Sequence, residues 1–163
     1  MKKQLNVFLF ALTFILIACG PTKNQAKEFM DQVVRDQKEV MKLEGNLVQN
    51  VVNLNLEESK SDLKVYQENL SKYLDKYTNM EAFDKDDELR LAMIELCTVL
   101  KEMADINYLE AINYLAEMET PTPPHQQSLL VLFDILGFID LKSDEANDKF
   151  LEAQKIFIEK YNL

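Results

Sequence analysis

Beyond residue 25, apolar side chains recur every three or four positions along almost the whole chain, the period of one face of an α-helix. A first stretch, about 25–54, places Phe29/Met30, Val33/Val34, Val40/Met41, Leu47/Val48 and Val51/Val52 on one stripe. A second, about 57–80, repeats Leu63, Tyr66, Leu70, Tyr73, Tyr77 and Met80 in alternating steps of three and four, the narrow seam of a helix packed side-on. Asp84, Asp86 and Asp87 open a third, about 86–119, where acidic side chains complement the free N–H groups of a helix start. Its apolar positions run from Leu89 through Leu96/Cys97 and Met103/Ala104 to Ala111, Tyr114/Leu115 and Met118. The run Thr120-Pro121-Thr122-Pro123-Pro124 breaks it, because proline removes a donor and disfavours helix before it. A last stretch, about 124–161, keeps one phase from Leu129 past Gly137 and Ser143 to Phe157 and Tyr161. The favoured reading is one long, bent helix; its rival starts a second helix with Ser143 as N-cap.

A helix of ~30 residues spans ~45 Å, and short connections return each helix beside its predecessor. The expected fold is therefore all-α, an antiparallel up-down-up-down four-helix bundle over residues 25–163, in one domain. Three Gly and four Pro are too few for many short strands and tight turns, and no glycine-rich phosphate-binding motif occurs. Eighteen Lys+Arg against 28 Asp+Glu give a net charge of −10, with no dense positive run. Nucleic acid is excluded as a partner, since phosphates need a basic footprint.

The N-terminus reads as an address. Met1, Lys2 and Lys3 precede an apolar run from Leu5 to Ala18, the pattern of a secretory signal peptide and too short for a membrane-spanning helix. Leu16-Ile17-Ala18-Cys19 looks like a bacterial lipobox. In such signals the cysteine thiol is alkylated with a diacylglycerol, and cleavage before it frees an amine that is commonly acylated. Residues 1–18 are then a lipoprotein signal peptide, Cys19 the lipidation site, and 19–24 the lipidated residue and tether. An ordinary cleaved signal with a chance cysteine and an uncleaved anchor are the competing readings. Two or more acyl chains matter, because one gives only marginal attachment. Loss of residues 1–18, which carry two lysines and no acid, takes the net charge to −12. Gly20, rather than Asp, follows the cysteine; in bacteria that sort lipoproteins by this position, that implies the outer membrane. Cys97 is the only other cysteine, so lipidation of Cys19 leaves no intramolecular disulfide.

Three places carry a family resemblance: Phe29-Met30-Asp31-Gln32-Val33-Val34 before Gln37, Phe83-Asp84-Lys85-Asp86-Asp87-Glu88-Leu89-Arg90 before Ala92, and the segment from Phe150 to Asn162. With them the chain resembles a family of uncharacterised surface lipoproteins of Gram-negative bacteria. The resemblance implies an all-helical, exported, lipid-anchored protein, and it implies no activity and no site.

Few residues offer chemistry. His125 is the only histidine and follows two prolines, so it reads as an exposed loop residue; a di-metal bundle site would need two histidines. Cys97 lies within an apolar stripe and reads as an inert core thiol. The acids from Asp84 to Glu95 imitate calcium-loop spacing, but Leu89 occupies the position where that loop turns on Gly. No metal and no cofactor are expected. Tyr66, Tyr73 and Tyr77 read as core or core-edge residues, each hydroxyl reaching water or a polar partner. The informative residues are polar ones where the stripes predict apolar ones: Gln37 and Glu44 in the first helix, Asn107 and Glu110 in the third, and Asp134 in the last. Placed at face boundaries they are merely solvated. Placed inside, Gln37, Glu44, Asn107 and Glu110 form a polar layer, which is a site or a register device because a buried carboxyl must be paired or protonated.

The functional expectation is a non-catalytic binding or structural module of the cell envelope, held to the outer membrane through Cys19 and presenting an acidic helical surface to a protein partner or to the envelope. The alternative is a carrier of a small ligand or cofactor in the bundle interior. Enzymatic activity is not expected, since hydrolysis needs an organised base and nucleophile.

Overall fold

The computed structural model describes residues 20–118 and 126–163, and the described residues are helical throughout except for short connections, without a strand. The expected signal segment 1–18, Cys19, the proline run and His125 lie outside the described residues. Helix α1 spans Lys23–Val52, α2 Leu56–Thr78, α3 Glu88–Asp105, α4 Asn107–Met118 and α5 Gln126–Tyr161. Among the described residues, no helix is long and apolar enough to cross a membrane.

α1 starts earlier than its apolar stripe. Thr22 is the N-cap of a capping box, its hydroxyl accepting from the Gln25 N–H while the Gln25 side chain accepts from the Thr22 N–H at 2.9 Å. Lys23 and Asn24, expected in the tether, are thus already helical. The helix ends in a Schellman turn: the Leu54 N–H donates to Val51 at 3.1 Å and the Asn55 N–H to Asn50 at 2.9 Å.

The start of α3 departs from expectation. Asp87 precedes it with a left-handed φ of 53°, yet makes no side-chain cap bond. Its carboxylate instead accepts from the Phe83 N–H at 3.1 Å and from Arg90 Nε at 2.6 Å, and Arg90 also donates to the Tyr77 carbonyl. Asp84 accepts from the N–H groups of Asp86 and Asp87 and, at 2.5 Å, from the Tyr161 hydroxyl. Lys160 bridges Asp84 and Asp86. Asp84 and Asp86 thus tie the α2–α3 connection to the C-terminal end of α5, and Asp87 ties it to Arg90 of α3.

The third expected stretch is two helices. Ile106 interrupts it with φ −117°, its N–H still reaching the Glu102 and Met103 carbonyls. The break is a kink that leaves the buried phase intact: Ala104, Tyr108, Ala111 and Leu115 follow at steps of four, three and four. The last stretch is one helix, with Ser143 buried inside it and not at a cap.

Contacts between helices fall in reverse sequence order. Along α1 and α2, Asn50 meets Asp62, Glu39 meets Tyr73, and Asp36 meets Lys76 and Tyr77. Along α1 and α5, Lys23 meets the Asn162 carbonyl, Phe29 meets Phe157, Gln37 meets Asn147 and Glu44 meets Ser143. A continuous bundle core joins Val33, Val40, Leu70, Met93, Leu100 and Phe150, each fully buried. At the end where α1 begins, Phe29 stacks on Phe83 at 4.3 Å, and Phe83 and Tyr161 flank Phe157.

Candidate functional site

The buried positions of α1, Val33, Gln37, Val40, Glu44, Leu47 and Val51, recur in steps of four and three. Gln37 and Glu44 therefore stand on the core seam itself, 7% and 5% exposed. The Gln37 side chain donates to the side-chain amide oxygen of Asn147 on α5 at 2.7 Å.

Glu44 has more around it. Ser143 of α5 donates to one carboxyl oxygen at 2.6 Å, and the Tyr108 hydroxyl of α4 donates to the other at 3.2 Å. Tyr66 of α2 crosses the Tyr108 ring edge-on, centroids 6.1 Å apart. Its hydroxyl is buried beside Glu44, and burial first, then the charge and hydrogen bonding of that carboxyl, oppose its ionisation. Four helices thus contribute to one polar cluster at the level of Glu44. Burial raises the Glu44 pKa above its ordinary value; the bonds from Ser143 and Tyr108 partly offset this, and the charges of Asp140 and Asp144 reinforce it. Burial and the same carboxyl push the Tyr108 hydroxyl up as well.

A cavity of about 310 Å³ opens beside the cluster. Met41, Val48, Leu136 and Ile139 give it apolar walls, Glu44, Tyr108 and Ser143 its polar floor, and the exposed Asp140 and Asp144 an acidic rim. No Lys, Arg or His lines it. Among the described residues, no three His, Cys, Asp or Glu side chains converge as a metal site requires.

The polar layer expected from sequence is brought together only in part. Gln37 and Glu44 are inside; Asn107 is half-buried, Glu110 is exposed, and neither touches Glu44 through a hydrogen bond. The reason is the step after Ala104: the buried face moves four residues to Tyr108, not three to Asn107. Tyr108 and Ser143 take the places expected of Asn107 and Glu110. The signal for Tyr108 was its own aromatic character one residue beyond the chosen phase. Asp134 is exposed. Tyr73 and Tyr77 are buried, their hydroxyls donating to Glu39 at 2.6 Å and to Asp36 at 2.5 Å. Cys97 is fully buried, and burial raises its thiol to about 12.

No protein-family model, curated protein or solved structure matches this chain.

Proposed function

We propose that this protein is a lipid-anchored, non-catalytic binding module of the bacterial cell envelope, an antiparallel up-down bundle held to the outer membrane by acyl chains on Cys19. The lipobox-like Leu16-Ile17-Ala18-Cys19 and the resemblance to Gram-negative surface lipoproteins support the anchor. Reverse-order contacts between α1 and α2 and between α1 and α5 support the topology.

One observation carries the binding role. Leu130, Phe133, Phe138 and Leu141 form an exposed apolar stripe on the first half of α5, each 45–60% exposed, interrupted by exposed Asp134 and Gly137. Lone exposed apolar residues are ordinary, whereas four large ones gathered on one helix face support an interaction surface. Phe133 stands 28 residues before Tyr161, about 40 Å along the helix. Lys23 contacts Asn162, so the chain enters the bundle at the far end of α5. The stripe therefore lies far from the proposed anchor, where a protein partner with an apolar patch can reach it.

Mild crosslinking of the native lipoprotein followed by mass spectrometry tests this. A partner captured by the wild type and lost in Phe133→Ser/Phe138→Ser supports the reading; unchanged capture refutes the stripe as the contact. Failure of labelled palmitate to incorporate removes the anchor.

The cavity at Glu44 favours a second reading, a carrier of a small ligand in the bundle interior. Catalysis there lacks parts. Ser143 lies inside a helix whose N–H groups are already bonded, so no backbone donor is free for an oxyanion, and no imidazole lines the cavity.

A further inference from the structure

We infer that the Glu44 cavity is a binding site for a small organic cation, a protonated primary amine on a compact apolar body. This rests on the carrier reading and names the chemistry of its ligand.

Charge sets the class. Glu44 lies on a core seam with no basic side chain around the cavity, and the rim adds Asp140 and Asp144 of the same sign. A buried carboxylate without a counter-charge is costly, and only neutral hydroxyls answer it here. Each carboxyl oxygen accepts one bond, from Ser143 or Tyr108, and has capacity for another. An ammonium group donating to Glu44 supplies the missing charge.

Geometry narrows the class. A bare divalent ion needs several convergent oxygens, and the described acids do not converge. An ammonium needs one carboxylate and a hydroxyl or two. Met41, Val48, Leu136 and Ile139 then face the rest of the ligand, which is therefore apolar. The volume of about 310 Å³ stands at the small end of ligand pockets and suits a body of one ring. Anions meet three acids and are rejected by repulsion.

Isothermal titration of the full chain in detergent near neutral pH tests this with three probes of one shape: phenethylamine, neutral 2-phenylethanol and anionic 3-phenylpropionate. Phenethylamine is expected to bind, with the alcohol and the acid weaker by about tenfold or more, the effect of one charge-assisted hydrogen bond. Glu44→Gln is expected to bring the amine down to the level of the alcohol. If Glu44→Gln does not fold, Asp140→Asn/Asp144→Asn at the exposed rim weakens the amine severalfold and leaves the alcohol unchanged. Glu110→Gln, exposed and away from the cavity, changes none of the three. Equal binding of amine and alcohol overturns the cation assignment and leaves the carrier reading standing. Binding of none of the probes overturns both.

Discussion

Leu54 turns the chain out of α1 at φ 60°, a left-handed conformation in which a Cβ crowds the next carbonyl at a cost of about 1–2 kcal/mol. Glycine is the usual residue at this position of a Schellman turn. Leu54 is half exposed, so its side chain contributes little burial in exchange. Leu54→Gly is expected to stabilise the protein by about 0.5–1 kcal/mol, net of the added freedom of the unfolded chain, and urea denaturation checks it. A lower midpoint would mean that the Leu54 side chain is needed for packing. Cys97 gives a second expectation at this scale. With its thiol fully buried and raised to about 12, it has no reactive thiolate in the folded state. Labelling of Cys97 by a disulfide reagent should proceed only as fast as the protein opens, and rapid native labelling would show that the core admits the reagent.

At the scale of helices, the sequence was most legible where a seam is uniform. α2 buries Leu63, Tyr66, Leu70, Tyr73 and Tyr77, the steps of three and four visible in the sequence. α1 was legible even at its polar members, because Gln37 and Glu44 fall in phase with Val33, Val40 and Leu47. α3 and α4 were not, since Ile106 has no proline or glycine to mark a kink and either Asn107 or Tyr108 continues the apolar period within one step. Partners were illegible for a different reason. Nothing local to Ser143 says that its hydroxyl meets a carboxyl 99 residues away, and the aspartates before α3 look like caps until Tyr161 and Lys160 arrive from the far end of the chain. α5 also carries a propensity defect with no structural purpose. Gly137 is exposed, mid-helix, and a Cβ there meets nothing within 4 Å. Gly137→Ala is expected to add about 0.5–1 kcal/mol, read as a higher thermal midpoint. No gain would imply a local departure from helical geometry at that turn.

For the molecule as a whole, half-buried Asp84 and buried Glu44 set opposite responses to pH. Burial alone would raise the Asp84 carboxyl, but bonds from Lys160, Tyr161 and the Asp87 and Asp86 N–H groups hold it at about 2, below its ordinary 3.8. A carboxyl lowered on folding stabilises above its unfolded pKa, and that stabilisation is lost as pH falls from 3.8 through 2. Glu44 is raised above 4.5, so the folded state holds its proton more tightly than the unfolded chain does. Its contribution is complete below 4.5 and is lost as pH rises through the raised value. The net charge of −10 also destabilises at higher pH by self-repulsion, but exposed charges, Asp140 and Asp144 near Glu44 among them, are screened within about 3 Å at 1 M salt, whereas the cost of burying the Glu44 charge is not. Urea midpoints across mildly acidic to neutral pH, at low salt and at about 1 M, separate the two. The expected profile is a dome with its maximum at mildly acidic pH, flattened by salt on its high-pH side but not abolished. The decline that survives salt should vanish in Glu44→Gln, while Asp84→Asn should remove the acid-side decline alone. A wild-type profile at high salt that is level above pH 4.5 would mean that Glu44 does not hold its proton any more tightly in the folded bundle than in the unfolded chain.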